Sequence, residues 1–545
     1  MTSKVKDSKL TIWGSTISDI ILFTLLMALP AGYEPNHFAK ALFLGAFIQS
    51  LSLSLVLVWL SRRYHVIRTL TSIILLSLFS VETFVFLMFG SRFNPNILTL
   101  IIQTTPQESS EFVETFMLHP KPLLLLAALV LLGIFIFRSN KFKIIPDFKI
   151  SKVIFYSLSV LIICLGLFIP YAHLPFPIGN NTIKELYYST QFIRTNKNEI
   201  KLMEQMIDEI EINPLPEKGS FPTIVLIIGE SHNKHHSRLY GYSLPTSEIL
   251  EKEHSAGRLS LFSDVWTPTN GTNYAMRFLF TLKRCQDKGD EPLSCVLMPA
   301  VFKKAGYKVA YFDNQYTRSK GGELDYGCSY FLNPSYINEN CFDYRNNELF
   351  NFDGDFIASQ KNHFLKSGKS LNIIHLMGQH FDAAKRYPEN YGVFDSDDIK
   401  RMDLNHKERK RVAEYDNAVR YNDYVISSII EEFKNSDAVI IYLSDHGEQI
   451  YDGAEKLFGR QFSSLKDKET LRNVYQIPFF IWCSDTYMQL HADKFHAIQN
   501  ATDKHFCLAD VPYLLFDLGS IEFSEEQKEY SLISPTFKEH EIRLN

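Results

Sequence analysis

Residues 438–448 read AVIIYLSDHGE, an apolar run of strand length that ends in an aspartate, a histidine and a glycine. A buried strand gains no packing from such an end, whereas carboxylate oxygens and imidazole nitrogens are common metal ligands. The glycine lets the backbone turn away directly after them. We therefore interpret Asp445 and His446 as candidate metal ligands at the end of a buried strand.

A second apolar run, TIVLIIGES at residues 223–231, ends in the same way with Glu230. In open α/β sheets ligands bind outside the carboxyl ends of the strands, so Glu230, Asp445 and His446 could meet at one site. Two carboxylates and one imidazole suit Zn²⁺ and tolerate Mn²⁺, with one coordination position left open. The competing interpretations are a helix-start carboxylate for Glu230 and a capping aspartate beside a solvated histidine for the other two.

The C-terminal part of the chain alternates β-rich runs with helical patterns. This alternation predicts an α/β domain with a mostly parallel central sheet covered by helices, of which the clearest covers about 411–433. Polar clusters follow four of the five predicted strands, so the crevice at these strand ends is the predicted active site. The predicted strands are Thr223–Ile228, Lys308–Phe312, Leu371–Leu376, Ala438–Leu443 and Ile477–Trp482.

Long apolar stretches dominate the first part of the chain. Five of them are long enough, or nearly so, to cross a hydrocarbon layer of about 30 Å as helices. Lysines and arginines are concentrated before the first, between the second and third, and between the fourth and fifth, which predicts that these segments are cytoplasmic. An odd number of spans then places the C-terminal part outside the cytoplasm. The five stretches are residues 11–31, 39–60, 67–90, 121–138 and 153–174.

We expect three regions: a transmembrane domain at 1–175, a bridging helix and linker at 176–216, and a catalytic α/β domain at 217–545. Residues 181–212 mix apolar and charged residues at helical spacing, which indicates a helix lying along the membrane surface. No small-residue cleavage site follows the first apolar stretch, which argues against a cleaved signal peptide.

The cysteine spacings indicate the cellular compartment, and the net charge indicates which class of partner is excluded. Cys285 and Cys295 are ten residues apart, and Cys328 and Cys341 thirteen. These spacings suit local disulfides in an oxidising compartment, and the alternative is four buried thiols. The net charge of -5 and the lack of a basic, aromatic surface pattern argue against nucleic acid as a partner.

Residues 265–281, VWTPTNGTNYAMRFLFT, contain a loop rich in Pro, Asn and Gly followed by a helical apolar pattern. Thr272 is therefore expected at a helix N-terminus, where backbone N–H groups favour an alkoxide and a bound phosphate. A catalytic metal could activate such a hydroxyl as a nucleophile. The alternative is an ordinary capping threonine, and Thr267, Thr269 and Ser231 compete for the role of nucleophile.

Other polar residues are candidate substrate contacts. His380 follows the third predicted strand in a glycine-containing loop and could contact phosphate or donate a proton, whereas His375, inside the strand-like run, is expected to be a core histidine. Asn314 belongs to the polar pair Asp313-Asn314 that follows the second strand. Lys320 in DNQYTRSKGG could hold a phosphate as a point charge, or be a solvated surface lysine.

Two residues outside the α/β region are candidates for contact with lipid. Thr104 and Glu108 lie in an amphipathic segment after the third apolar stretch, where they could meet lipid head groups. Glu82 lies inside that stretch, and an ionisable group within a span is a candidate functional residue.

Together these motifs resemble those of the membrane-anchored phosphoethanolamine transferases of Gram-negative bacteria, the family that includes the polymyxin-resistance enzymes. GESHNKHHSRLYGYSLPTS and SDHGE resemble the family's metal motifs, and NGTNYAMRFLFT resembles its nucleophile loop. HLMGQHFDAAKRYP is similar to its histidine-containing strand end, QTTPQE to its lipid-head-group loop, and DNQYTRSKG to its lysine segment. The polymyxin-resistance members have a further histidine after DHG, where this chain has Phe458 in EKLFGR.

The resemblance implies a fold of the alkaline phosphatase and sulfatase type, in a multi-pass protein of the bacterial inner membrane with its catalytic domain in the periplasm. It implies that Zn²⁺ is held by Glu230, Thr272, Asp445 and His446. It implies substrate contacts by Lys320, Asn314, Thr104 and Glu108.

The implied reaction has two steps. Thr272 would take phosphoethanolamine from phosphatidylethanolamine, and His380 would protonate a leaving oxygen. The acceptor would be lipid A, a lipooligosaccharide core sugar or a protein. The enzyme is expected to act as a monomer among membrane lipids.

The sequence leaves two other functions open. One is another reaction of the same superfamily, such as glycerol-phosphate transfer, phosphodiester hydrolysis or sulfate-ester hydrolysis. For the last of these, the Cys/Ser-x-Pro-x-Arg motif of the usual sulfatases does not occur near Thr272. The other is a non-catalytic membrane sensor that has kept the fold.

Overall fold

The structure, a computed structural model, divides the chain into two compact units, Met1–Thr195 and Asn196–Asn545. The division falls inside the predicted bridging segment at 176–216. The residues that the structure describes are 9–12, 14–33, 39–89, 93, 120–138, 148–168, 198–213, 215, 220–286, 295–316, 329–380, 382–453, 456–460, 467–523, 527–542 and 544.

Among the described residues of the first unit, a helix covers most of each apolar stretch found in the sequence. Two helices contain segments long and apolar enough to cross a membrane, Leu44–Ser61 and Val66–Leu87, and the other three are shorter apolar helices. Strands β1 (Lys9–Ile12) and β2 (Phe148–Ser151) pair antiparallel. The helices are α1 Gly14–Ala28, α2 Ala39–Arg63, α3 His65–Phe89, α4 Pro120–Arg138 and α5 Lys152–Phe168.

Ionisable side chains buried in the helical unit have polar partners. Arg68 donates two hydrogen bonds to Asp19, at 2.7 and 2.8 Å, and so joins α3 to α1. Glu82 is fully buried and accepts a hydrogen bond from the backbone N–H of Phe93 at 3.0 Å. Charged groups in an apolar environment require such partners, because an unpaired one would lose its hydration without compensation.

A seven-stranded sheet lies at the centre of the second unit. Its strands are β3 Thr223–Gly229, β4 Leu259–Leu261, β6 Lys308–Asp313, β7 Tyr344–Arg345, β8 Ser370–His375, β9 Ala438–Ser444 and β12 Phe479–Cys483. Their order is β4-β12-β9-β3-β8-β6-β7. Strands β9, β3, β8, β6 and β7 are parallel, while β12 and β4 join antiparallel at one edge. The predicted mostly parallel sheet is thus confirmed.

Two short strand pairs lie outside this sheet. Strand β5 (Val265–Trp266) pairs in parallel with β13 (Phe506–Cys507). Strand β10 (Gln449–Ile450) pairs antiparallel with β11 (Phe458–Gly459) and follows directly on the DHGE segment.

Helices cover both faces of the sheet. Alternate residues of β3 belong to two different apolar clusters, with Ile224 and Leu226 in one and Val225 and Ile227 in the other. A central strand that is buried on both faces explains why its sequence is continuously apolar. The helices are α6 at 198–208, α7 Glu248–Ser255, α8 Thr272–Phe280, α9 Met298–Lys304, α10 Ser335–Cys341, α11 Asp353–Gln360, α12 His406–Phe433, α13 Lys468–Tyr475, α14 Asp485–Leu490, α15 Ala492–Gln499, α16 Val511–Leu518 and α17 Gln527–Tyr530.

Helix α12 begins earlier than the apolar pattern indicated. Its first turn is held by a capping box, in which Asn405 Oδ1 accepts from the N–H of Glu408 at 3.0 Å and Glu408 Oε2 accepts from the N–H of Asn405 at 2.8 Å. These reciprocal bonds satisfy N–H groups that would otherwise lack acceptors at a helix start. A polar turn therefore precedes the amphipathic part that the sequence reveals.

The cysteines do not pair as their spacing suggested. Cys285 and Cys295 both carry thiols, so the structure contains no disulfide between them. The Cys285 side chain is instead buried in the core, where its Sγ lies 3.5 Å from Sγ of Cys507. Cys341 is also a buried thiol, and burial raises its pKa to about 12. Its predicted partner, Cys328, lies outside the described residues.

Candidate active site

Glu230 and Asp445 are neighbours because their strands are paired in register. In the parallel pair β3 and β9, Gly229 is opposite Ser444, and each acidic residue comes next in its strand direction. The N–H of Asp445 continues the pairing by donating to the carbonyl oxygen of Gly229 at 3.1 Å. The carboxyl ends of two central parallel strands therefore bring both carboxylates to one edge of the sheet.

Glu230, Asp445 and His446 form a buried cluster whose possible ligand atoms lie within 4.8 Å of one another. Nε2 of His446 is 3.4 Å from Glu230 Oε1 and 3.1 Å from Asp445 Oδ2. Oδ2 of Asp445 accepts no hydrogen bond from the described residues. A buried carboxylate oxygen that lacks a donor is costly unless a cation satisfies it, so this atom fits a metal ligand.

The tautomer of His446 also fits metal binding. Its Nδ1 lies 2.8 Å from the carbonyl oxygen of Gly447, which can only accept, so the proton is on Nδ1 and the lone pair of Nε2 is directed into the cluster. Gly447 is required by a close approach of the backbone. A Cβ at this position would lie 2.1 Å from the carbonyl oxygen of Asn473.

Thr272 is the first residue of α8, as the sequence predicted. Its Oγ1 donates to Glu230 Oε2 at 3.0 Å and lies 3.4 Å from Nε2 of His446. The hydroxyl thus contacts the cluster, and the residue is only partly buried.

The three competing hydroxyls are less suited to attack a substrate. Thr267 and Thr269 are buried, and their hydroxyls serve the loop itself: Thr267 donates to the carbonyl oxygen of Thr269 at 3.1 Å, and Thr269 accepts from the N–H of Gly271 at 3.3 Å. Ser231 does donate to Glu230 Oε1 at 2.7 Å, but it is 1% exposed and has a φ of 55°. Thr272 is therefore the best-placed nucleophile of the four.

Positive charge near the cluster favours the ionised form of Glu230. Burial opposes the charge on Glu230, but His446, His380 and Arg460 together outweigh burial and hold the pKa of its carboxyl below the ordinary value. Burial also disfavours a charged His446, and the adjacent Asp445 outweighs it, so the pKa of the imidazole is raised. Strongly perturbed groups of this kind are typical of functional sites.

Sequence reasoning missed two residues that contact the cluster. Gln315 Nε2 donates to Glu230 Oε2 at 3.1 Å and to the carbonyl oxygen of Leu376 at 2.8 Å. Arg460 Nη1 lies 2.7 Å from His446 Nε2 and donates to the carbonyl oxygen of Asn270 at 3.0 Å. The only sequence signal for Gln315 was its position just after the polar end of β6, and Arg460 had none.

The two histidines near the end of β8 lie in different environments. His375 is a fully buried histidine whose Nδ1 lies 3.0 Å from Asp313 Oδ1, which confirms the expectation of a core histidine. His380 is half-buried in the loop after β8, close enough to Glu230 to lower the pKa of that carboxyl. Lys320, Thr104 and Glu108 lie outside the described residues.

A direct substrate contact by Asn314 does not fit the structure. The residue is fully buried, its Nδ2 donates to Asp353 Oδ1 at 2.8 Å, and its Oδ1 accepts from the N–H of Phe350 at 2.8 Å. Both amide atoms are thus used in hydrogen bonds within the α/β unit. The next residue, Gln315, is the one that reaches the cluster.

The loop after β8 supports Glu230 from behind. Gln379 N–H donates to the carbonyl oxygen of Glu230 at 3.0 Å. Gly378 has a φ of 51°, and a Cβ on it would lie 2.9 Å from both N and O of Glu230. Asp353 fixes this turn by accepting from the N–H groups of Met377 and Gly378, each at 2.9 Å.

A buried histidine joins three segments near the cluster. His236 Nδ1 lies 2.6 Å from Asp416 Oδ1 of α12, and its Nε2 lies 2.9 Å from Asp452 Oδ2 in the segment after β10. Burial opposes the charge on the imidazole, but the two carboxylates outweigh it and raise the pKa of His236 to about 10. The charged imidazole therefore holds the segment after Glu230 against the segment after His446.

The chain is similar to known proteins over most of its length. The sulfatase family profile matches residues 222–511, more than half of the chain. The phosphoethanolamine transferase EptC of Escherichia coli K12 is 27% identical over 504 residues, which cover 88% of this chain and 84% of that protein.

Two solved structures are similar. The zinc complex of the C-terminal periplasmic domain of EptC from Escherichia coli is 26% identical with a TM-score of 0.52, and covers 61% of this chain and 92% of that domain. The integral membrane lipooligosaccharide phosphoethanolamine transferase A of Neisseria meningitidis is 17% identical with a TM-score of 0.60 over 95% of this chain and 97% of that protein, a likeness of fold alone. The chain therefore belongs to the sulfatase family and, within it, to the phosphoethanolamine transferases.

Proposed function

We propose that the chain transfers phosphoethanolamine from phosphatidylethanolamine to an acceptor through Thr272. The observation that carries this proposal is the position of the Thr272 hydroxyl, 3.0 Å from Glu230 Oε2 and 3.4 Å from His446 Nε2. A hydroxyl at a helix start beside a buried cluster of metal ligands is suited to nucleophilic attack on a phosphodiester.

The cluster fits a zinc ion, with Mn²⁺ as the second choice. Glu230, Asp445 and His446 supply two carboxylates and one imidazole with its lone pair directed inward, and Thr272 would complete the set. Bound zinc would lower the pKa of the threonine hydroxyl and polarise a phosphoryl oxygen. The zinc complex of the related periplasmic domain supports this choice of metal.

The two steps are balanced displacements at phosphorus. In the first, the Thr272 hydroxyl would release its proton to water and its Oγ1 would form a bond to phosphorus, while the bond from phosphorus to the glycerol oxygen breaks. Diacylglycerol would leave with a proton from His380, which is half-buried beside the cluster. In the second, the acceptor hydroxyl would return a proton to His380 and its oxygen would form the new bond, while the bond from phosphorus to Thr272 Oγ1 breaks and Oγ1 regains a proton from water.

Lipid substrates require the site to be at a membrane. The five apolar helices of the first unit would span the inner membrane, with the catalytic unit in the periplasm. Thr104 and Glu108 would contact the lipid head group, and Lys320 would contact phosphate. The protein would act as a monomer.

The acceptor would be a cell-surface glycolipid, either lipid A or the lipooligosaccharide core, or another periplasmic molecule. The Kdo(2)-lipid A phosphoethanolamine 7''-transferase of Salmonella typhimurium, 27% identical over 300 residues, is named for a glycolipid acceptor, which supports the glycolipid class. Comparing the masses of surface glycolipids from cells with and without the protein would identify the modified molecule.

The donor is tested by incubating the purified full-length chain in detergent with phosphatidylethanolamine and measuring its intact mass. We expect phosphoethanolamine on Thr272, located by peptide fragmentation, and release of diacylglycerol. A glycerol-phosphate adduct formed only from phosphatidylglycerol would replace the proposal with the glycerol-phosphate transferase. No adduct from either lipid, in a chain that binds zinc, would favour a hydrolase or a non-catalytic sensor.

A further inference from the structure

The β10–β11 ribbon carries Arg460 to the candidate active site. Gln449 of β10 is opposite Gly459 of β11, so Glu448 and Arg460 are the next pair toward the cluster. Arg460 Nε lies 3.7 Å from Glu448 Oε2, at the limit of an ion pair. The ribbon starts at Gln449, three residues after His446, so its position is tied to the ligand segment.

The Arg460 guanidinium and the Thr272 hydroxyl both lie close to Nε2 of His446. Arg460 Nη1 lies 2.7 Å from His446 Nε2, and Thr272 Oγ1 lies 3.4 Å from the same atom. Nη1 also donates to the carbonyl oxygen of Asn270, two residues before Thr272. A phosphate on or beside Thr272 Oγ1 would thus be next to the guanidinium.

When a metal is bound, the Arg460 guanidinium needs a hydrogen-bond acceptor other than His446 Nε2. Arginine can only donate hydrogen bonds, and the lone pair of His446 Nε2 would be used by the metal. The Arg460 side chain is 32% exposed, so it can shift toward the open side of the site. The non-bridging oxygens of a phosphate are the acceptors that best match its planar fork, and Glu448 offers a carboxylate when no phosphate is present.

We propose that Arg460 binds the phosphate group at Thr272 and positions it for transfer. This inference rests on the proposed function, because it places the phosphate at Thr272. The positive charge offsets the charge of the phosphodiester within a buried cluster that already holds two carboxylates. Arg460 is then a substrate-binding residue and its binding partner is a phosphoryl group, while Glu448 holds the guanidinium between turnovers.

Arg460→Gln, which removes the charge and the fork, is the main test. The full-length chain is purified in detergent and loaded with zinc, zinc content is measured by elemental analysis, and affinity for inorganic phosphate is measured by calorimetry. We expect zinc content to be unchanged and the Kd for phosphate to rise about tenfold to a hundredfold. Arg460→Lys should give an intermediate Kd, since it keeps the charge and loses the fork.

Arg238→Gln is the matched control, because Arg238 is 43% exposed and pairs only loosely with Glu251 at 3.4 Å. Its phosphate affinity should equal that of the unsubstituted chain. An Arg460→Gln chain with zinc bound and a Kd within twofold of the unsubstituted value overturns the inference. Loss of zinc from both Arg460→Gln and Arg460→Lys also overturns it, because Arg460 would then act by holding His446.

Phosphate binding is measured without any lipid, so this test is separate from the donor experiment. Failure of transfer from phosphatidylethanolamine in the unsubstituted chain would contradict the proposed function and leave the phosphate result standing. Conversely, an unchanged phosphate affinity in Arg460→Gln would leave transfer by the unsubstituted chain unaffected.

Discussion

The hydroxyl of Thr272 donates a hydrogen bond to Glu230 Oε2 at 3.0 Å, although the two residues are 42 positions apart in the chain. The strand end and the helix start that carry them are built from separate segments, so this contact depends on the complete fold of the α/β unit. It connects a candidate nucleophile to a candidate metal ligand.

Thr272→Ala should abolish transfer and leave the fold intact. We expect the rate of phosphoethanolamine transfer to fall at least about a thousandfold, because the attacking oxygen is removed. The thermal unfolding midpoint of the chain should be unchanged, since the side chain is partly exposed. Thr267→Ala is the control, and it should transfer normally because its hydroxyl bonds only within the loop. An active Thr272→Ala chain would exclude the threonine mechanism.

Asp445→Asn should remove the metal. Oδ2 of Asp445 is a buried oxygen that accepts no hydrogen bond from the described residues, and an uncharged amide satisfies a cation poorly. Substitution of a residue that only supports a metal ligand typically lowers metal affinity about tenfold to a hundredfold, and we expect the loss of zinc affinity in Asp445→Asn to be larger. Elemental analysis after dialysis against a chelator measures this loss, and Asp493→Asn, an exposed substitution in α15, is the control. Full zinc content in Asp445→Asn would show that the cluster is not the metal site.

Gln315→Leu should weaken zinc binding without touching a ligand. Its amide donates to Glu230 Oε2 and to the Leu376 carbonyl, and so fixes the direction of the carboxylate. We expect a loss of about tenfold to a hundredfold in zinc affinity, measured by competition with a chelator. Gln499→Leu, which changes an exposed glutamine of α15, should have no effect. Equal affinities in the two variants would mean that Glu230 needs no such support.

The elements that the sequence predicts well are those whose burial requires a continuous run of apolar side chains. Strands β3 and β9 are continuously apolar because both faces are covered, and their predicted bounds differ from the observed ones by a single residue. Glu230 and Asp445 are identifiable because each follows the end of such a run, and Thr272 because it lies between a loop rich in Pro, Asn and Gly and a helical apolar pattern.

The residues that the sequence did not reveal are placed by long-range contacts. Arg460 reaches His446 through a two-residue ribbon too short to show alternation, and Gln315 reaches Glu230 across β8. The pairing of Cys285 was also misjudged, because sequence spacing favours a near cysteine whereas packing in the core places Cys507 beside it. Such contacts depend on tertiary packing and leave no local pattern.

Gly378→Ala should disturb Glu230 more than backbone strain alone explains. Both Gly378 and Gly368 have positive φ, at 51° and 66°, so alanine strains either position by about 1–2 kcal/mol. A Cβ at 378 would also lie 2.9 Å from backbone atoms of Glu230, whereas a Cβ at 368 meets nothing within 4 Å. We therefore expect Gly378→Ala to lower both the unfolding midpoint and zinc affinity, and Gly368→Ala to lower only the midpoint, slightly. Equal zinc affinities would contradict the proposed support of Glu230 by this turn.

His236→Gln should destabilise the chain in a way that depends on pH. The pKa of His236 is raised from 6.5 to about 10 by Asp416 and Asp452, which outweigh burial. A raised pKa in the folded state adds stability that is fully present below pH 6.5 and is lost as the pH rises toward 10. The pKa of the Asp416 carboxyl is also raised, because burial outweighs the charge of its partner His236. The ionised carboxylate therefore costs stability above that pKa and offsets part of the gain from His236 near neutral pH.

The unfolding midpoints of His236→Gln and of the unsubstituted chain should therefore differ most near pH 6 and converge toward pH 10. Breaking a buried charged pair costs about 3–5 kcal/mol, which sets the size of the difference at the acidic end. His496→Gln, an exposed substitution in α15, should show no such trend. A difference that grows with pH would mean that His236 is neutral in the folded chain and that Asp416 and Asp452 are held by other groups. Zinc must be kept saturating throughout, because the imidazole links the segments after Glu230 and His446 and any loss of metal would add its own pH dependence.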